Sequence, residues 1–197
     1  GLFLIRRYEI LITDHRELAE NNELIDAYPF IIRSYLSGPK TMLVCSQVGI
    51  ENTEFMLQCL NEIAKQKNGK VLILSLEGSE SQFCKAYRSV LNKTYTYVDD
   101  TLGISPDWLE ARCNQIKNLV AVDHAELLNL DSCRIKEIAL KFNIPIMLTS
   151  LLSRCASDHK NGGRPWISDI PYGSFEHLNG YDYDILLWRE HLTDRMQ

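Results

Sequence analysis

An α/β fold, with a mainly parallel sheet and helices on both faces, is predicted by three observations. From Thr41 onward, short apolar runs alternate with amphipathic stretches of about a dozen residues, the order of strand, crossover helix and parallel strand. Val71 to Leu76 (VLILSL) is continuously apolar, as in strands covered on both faces. Met42 to Cys45 runs through a loop holding Gly49 into a helical pattern from Thr53. That is the order of a phosphate-binding loop, in which backbone N–H groups and a helix N-terminus hold an anion.

Residues 1–40 read as a lead-in, a linker plus short helices laid against the core. Asp14 to Tyr28 has helical character, Pro29 interrupts it, and Phe30 to Leu36 forms a second short apolar piece that stops at Ser37-Gly38-Pro39. Residues 41–197 form the main domain. Its first helix, from Thr53, carries one stripe of Phe55, Met56, Cys59, Leu60 and Ile63, and Asn68-Gly69 closes it. Ser79 with Gln82 makes a capping box for a helix whose apolar face is Phe83, Tyr87, Val90 and Leu91. Tyr95 to Val98 is a short strand. Ser105-Pro106-Asp107 starts the next helix with an N-cap, a proline at the first helical position and an acid in the first turn. Leu119 to Val122 is a strand ending in Asp123, Ser132 to Phe142 a helix, Ile144 to Thr149 a strand, Ser153 to Arg164 a polar loop, and Ile185 to Trp188 the last strand.

Composition narrows the function classes. The 197 residues suit one well-buried domain, and 45% hydrophobic with 24% charged residues is ordinary for a globular protein. A net charge of -5 argues against a broad basic surface, so contact with nucleic acid would be local or shared between subunits. No stretch approaches the ~20 apolar residues of a membrane span. GLFLIRR has too short an apolar part for a secretory signal, with its arginines on the wrong side of it, and the absent initiator Met fits an excised domain. Six cysteines without CxxC or His/Cys ligand spacing read as reduced thiols of an intracellular, cytoplasmic protein. The histidines, among them His124, show no metal-ligand spacing, and Trp108, Trp166 and Trp188 read as packing residues, Trp166 also as a candidate for stacking on a base or partner.

Three candidate site positions follow strands in order: residues 46–53, Glu77 after VLILSL, and Asp123 after LVAV. With them, the chain resembles the C-terminal motor domain of the DnaB-like replicative DNA helicase family. Met42 to Phe55 is similar to that family's phosphate-loop segment without a gap, and LILSLEGSESQ to its strand ending in Ser-Leu-Glu. Tyr97 to Asp100 with Gly103 to Pro106, Asn118 to Asp123, KFNIPIMLTS, Arg164-Pro165 with Ser168-Asp169, and Tyr183 to Arg189 continue the resemblance in order, over about residues 40 to 190. It implies a three-layer RecA-like P-loop NTPase fold, DNA unwinding in replication, ATP and magnesium as cofactors, a ring or other homo-oligomer, and single-stranded DNA as partner. It also implies Glu77 as the water-activating carboxylate, Asp123 as the magnesium Asp, and Thr53 as the magnesium hydroxyl, with Gly49, Glu51, Asn52 and Thr53 in the nucleotide loop.

The departures fall on that loop. Asn52 stands at the phosphate Lys, Glu51 at the last Gly and Leu151 at the polar sensor residue, and the sequence stops before the family's arginine finger could appear. A carboxylate about 4 Å from a phosphate oxygen is repelled by about 4 kcal/mol at an effective dielectric near 20. A charged hydrogen bond returns only ~1.5–3 kcal/mol. The expectation is therefore a helicase-family domain with an impaired ATP site, a weak or pseudo-ATPase. The alternative is a non-catalytic RecA-fold scaffold that docks onto a helicase, a loader or itself. Glu51 and Glu54 also have a plainer reading as stabilisers of the helix N-terminus, and Asp123 as a loop or cap residue.

Overall fold

The computed structural model describes residues 9–14, 27–116, 118–128, 131–154, 165–171 and 180–188. Among the described residues, seven strands form one sheet: β1 (Glu9–Asp14), β2 (Thr41–Ser46), β3 (Val71–Ser75), β4 (Thr96–Asp99), β5 (Leu119–Asp123), β6 (Ile146–Leu151) and β7 (Tyr183–Trp188). Their spatial order is β1-β7-β2-β6-β5-β3-β4. β2 to β7 are all parallel, and β1 pairs antiparallel with β7.

Of the described residues, five α-helices cover the sheet: α1 (Ala27–Leu36), α2 (Asn52–Lys67), α3 (Glu80–Ala86), α4 (Pro106–Ile116) and α5 (Ser132–Phe142). The pleat divides the apolar residues between the two faces. Met42, Val44, Val71, Ile73, Ala121, Met147 and Ile185 face one core with Ile31 and Tyr35 of α1, the stripe of α2 and Phe83 of α3. Leu43, Cys45, Leu72, Leu74, Val120, Val122, Leu148 and Leu186 face a second core with Leu109 and Cys113 of α4 and Ile135, Ile138 and Ala139 of α5. Strands buried on both faces explain why these segments read as continuous apolar runs instead of alternating ones. The result is a three-layer, RecA-like α/β sandwich.

Helix ends follow local chemistry. Asn68 and Asn143 adopt the left-handed conformation (φ 49° and 54°) that ends α2 and α5. Ser79 and Gln82 form the capping box of α3, and the Ser105 hydroxyl accepts the Trp108 N–H at 3.2 Å ahead of α4. α3 is shorter than its apolar pattern: it stops at Ala86, and Tyr87, Val90 and Leu91 pack from the turns beyond it.

The 1–40 segment differs most from expectation. Its short apolar piece is indeed a helix against the core, and it begins two residues before Pro29, which sits in the first turn of α1 where its missing N–H has no intrahelical acceptor to lose. Residues 9–14, read as linker, are an edge strand of the main sheet. Most of the helix read at 14–28, and all of loop 153–164 beyond Arg154, lie outside the described residues. Cys45, Cys59 and Cys113 are buried free thiols, Cys84 is half-buried and Cys133 exposed. No helix among the described residues is long and apolar enough to cross a membrane.

Candidate functional site

The chain leaves β2 along one face of the sheet through α2 and returns to the β5 and β6 positions after crossing the other face. The carboxyl ends of β2, β6, β5 and β3 therefore stand side by side, where doubly covered parallel sheets place their ligands. All the residues singled out from sequence, Gly49, Glu51, Asn52, Thr53, Glu77 and Asp123, lie at this edge.

The loop after β2 is folded onto itself. Gly49 takes φ 85°, a left-handed conformation that glycine adopts without strain. The Ile50 N–H donates to the Gln47 carbonyl at 3.1 Å, and the Ser46 hydroxyl to the Ile50 carbonyl at 3.0 Å. Glu51 has φ -77° and ψ 76°, and the Asn52 N–H donates to the Ile50 carbonyl at 2.9 Å. That is an inverse γ-turn centred on Glu51. Two amides of the stretch that should cradle phosphate are thus spent on the loop's own carbonyls. Glu51 is the N-cap of α2 but makes no side-chain cap hydrogen bond, and it is exposed; with Glu54 it acts on the helix N-terminus through charge alone. Asn52, at the lysine place, is buried, and its Nδ2 donates to the Ser150 carbonyl at 2.8 Å. The side chain ties the loop to β6.

The end of β5 is built differently. Asp123 is buried, and its Oδ1 accepts from Thr53 Oγ1 at 2.6 Å and from Thr149 Oγ1 at 2.8 Å. Thr149 in turn accepts the His124 N–H at 3.1 Å. Burial raises the Asp123 pKa, assisted by the charge of Glu77 and opposed by the two threonine hydrogen bonds and by His124.

His124 has φ 63°, left-handed and strained for a non-glycine residue. Its Nε2 lies 2.9 Å from Glu77 Oε2 and its Nδ1 2.9 Å from Glu126 Oε1. The Glu126 hydrogen bond and the surrounding carboxylates raise the imidazole to about 9 against the opposing effect of burial, so both ring nitrogens donate at neutral pH. Burial pushes Glu126 up, but the His124 contact and other hydrogen bonds outweigh it and leave the carboxyl below its usual range. Glu77, the carboxylate in the water-activating place, is thus exposed yet held in an ion pair.

Sequence reasoning missed two members of this cluster. His124 lacks ligand spacing, and its partners come from the next turn and from β3, so only the tertiary fold reveals its role. Tyr87, read as packing, stacks on Phe83 with ring centroids 4.9 Å apart. Burial raises its phenol pKa, a hydrogen bond with Thr53 opposes this, and the charges of Asp123, Glu51 and Glu77 add to the rise.

Magnesium-ATP can be tested against these residues. Thr53 and Asp123 are the hydroxyl and carboxylate a magnesium ion would need, and they meet. Among the described residues no group of three or more His, Cys, Asp or Glu side chains is placed to hold a metal by itself. The phosphate half does not fit: the amides at 50 and 52 are engaged, the cation is replaced by a buried amide, and an acid stands at the glycine place.

Topology and layering define the class as a RecA-like α/β fold. Among solved structures, one described as an "ATPase Domain" superposes with a TM-score of 0.65 at 17% identity, covering 81% of this chain and 72% of its own. A second, "The Structure Of A DnaB-Like Replicative Helicase And Its Interactions With Primase", gives a TM-score of 0.59 at 18% identity over 76% of this chain. The match spans 46% of that second chain. No protein-family model and no curated protein matches the sequence.

Proposed function

We propose that this chain is a DnaB-like, helicase-type RecA domain whose ATP site is impaired, a pseudo-ATPase that serves DNA replication without acting as a motor. The observation that carries the reading is the inverse γ-turn at Glu51 with the Asn52 to Ser150 tie, set beside an intact Thr53 to Asp123 contact. The intact contact belongs to the nucleotide-site plan of the fold. The turn and the tie remove what that plan needs to hold a triphosphate. Glu77 would be the water-activating carboxylate of a competent relative, and here its partner is His124.

Calorimetric titration with magnesium and ATP tests this on the natural protein and on Glu51→Gly with Asn52→Lys. The expected result is no heat of binding for the natural protein and binding only with the repaired loop. Micromolar binding by the natural protein would restore a working motor, with ring assembly and single-stranded DNA as its associated properties.

The same loop favours a second reading within this proposal. A domain that does not cycle with nucleotide is suited to be a scaffold, docking onto a helicase, a loader or another copy of itself.

A further inference from the structure

Six large hydrophobic side chains are exposed among the described residues, and four of them sit on loops at the carboxyl ends of the strands. Val48 (70% exposed) follows β2, Leu102 (74%) follows β4, and Leu127 (55%) lies in the short turn after β5. Trp166 (58%) follows β6 and is held at the same end because the Ser153 N–H donates to the Asp169 carbonyl at 2.7 Å while Asp169 Oδ2 accepts the Trp166 N–H at 2.7 Å. The other two, Tyr97 and Leu140, lie on β4 and α5. An exposed apolar side chain is ordinary when it stands alone, but four of the six at one end of the sheet single that end out as the candidate interaction surface.

Charge says what kind of partner this end accepts. Glu51, Glu77, Glu80 and Asp100 are exposed on the same set of loops and helix starts. The cations of these loops among the described residues are Arg154 and His124, and His124 is clamped between Glu77 and Glu126. A surface of this sign repels a phosphate backbone, whose binding needs several neutralising Lys or Arg contacts. It complements a segment that is itself cationic and apolar.

We infer that the carboxyl end of the sheet is a docking surface for a basic, amphipathic segment of a partner protein, with Val48, Leu102, Leu127 and Trp166 as its apolar contacts and the surrounding carboxylates as its charge match. This rests on the scaffold reading above and adds the chemistry of the partner.

Fluorescence anisotropy tests it with two labelled probes: a synthetic amphipathic helical peptide of Leu and Lys, and a single-stranded oligo-dT. The peptide is expected to bind, more weakly as salt rises. Binding is expected to fall about tenfold in Val48→Ser with Leu102→Ser and Leu127→Ser, and to be unchanged in Tyr97→Ser with Leu140→Ser, since a few central apolar contacts carry most interface energy. Circular dichroism checks that both variants are folded. Absence of peptide binding, equal loss in both variants, or tighter binding of the oligonucleotide than of the peptide overturns the inference. Calorimetry with magnesium-ATP decides the parent reading separately, because nucleotide binding sinks the scaffold whatever the peptide does.

Discussion

The ends of β2 and β5 are separated only by β6, and they satisfy their polar groups in opposite ways. After β2, the loop holds no Lys or Arg and closes on its own carbonyls. At the end of β5, carboxylate, hydroxyl and strand register are all in place. The difference teaches that a buried carboxylate at a strand end is no sign of catalysis by itself. Asp123 is buried, and a buried carboxylate needs donors; Thr53 and Thr149 supply them whether or not a metal ever binds. The loop after β2 carries no such obligation toward a ligand, because Asn52 satisfies its buried amide on Ser150. Structural demand preserves one end, and internal hydrogen bonding makes the other self-sufficient.

That contrast can be broken most forcefully at Asp123. Thr53→Val and Thr149→Val each leave the buried carboxylate short of a donor, at a cost of about 1–3 kcal/mol, and the double change should cost more than either. Urea unfolding measures this; a double variant as stable as the natural protein would mean that Asp123 is not held as described. Next in size is the tie. Asn52→Ala should destabilise by about 1–2 kcal/mol, since it removes a buried hydrogen bond to β6 and a buried contact. Unchanged melting would remove the tie from the account of the loop.

The His124 clamp gives a pH signature. Its folded-state pKa is raised from 6.5 to about 9, so the stabilisation is fully present below pH 6.5 and is lost as pH rises through about 9. Glu126, with a lowered pKa, works at the other end: its contribution is present above its ordinary value near 4.5 and is lost as pH falls below it. Melting temperature followed across the alkaline window should therefore fall for the natural protein and stay flatter for His124→Gln. Identical profiles would show that the ion pairs do not couple to folding. The smallest effect belongs to the loop surface: Val48→Ser, at an exposed position, should change stability by less than about 0.5 kcal/mol in the same urea assay. A larger loss would show that Val48 packs in the folded domain and is no free contact.

Much of this was legible in the chain. VLILSL announced a doubly covered strand, and LVAV and the run before Thr149 announced strands, because apolar content over a few residues is a local property. Ser79 with Gln82 announced a helix start because a capping box closes within one turn. Glu51 and Asn52 were legible as residues of the turn between β2 and α2 because that stretch is contiguous. Strand β1 was not legible, since its pairing with β7 joins residues far apart in sequence, Glu9 to Trp188 at one end, and no local pattern encodes that distance.

By itself, then, the sequence determined the layered α/β fold, the helix boundaries set by caps, and the positions at which nucleotide chemistry is in question. Only the tertiary structure decided what those positions do. The γ-turn at Glu51, the bond from Asn52 to β6, the shared carboxylate of Asp123 and the capture of Glu77 by His124 all depend on strand ends meeting in the order β2, β6, β5, β3. Hydrogen bonds and ion pairs act over about 3 Å, and which groups come that close across separate strands is set by packing, not by neighbours in the chain.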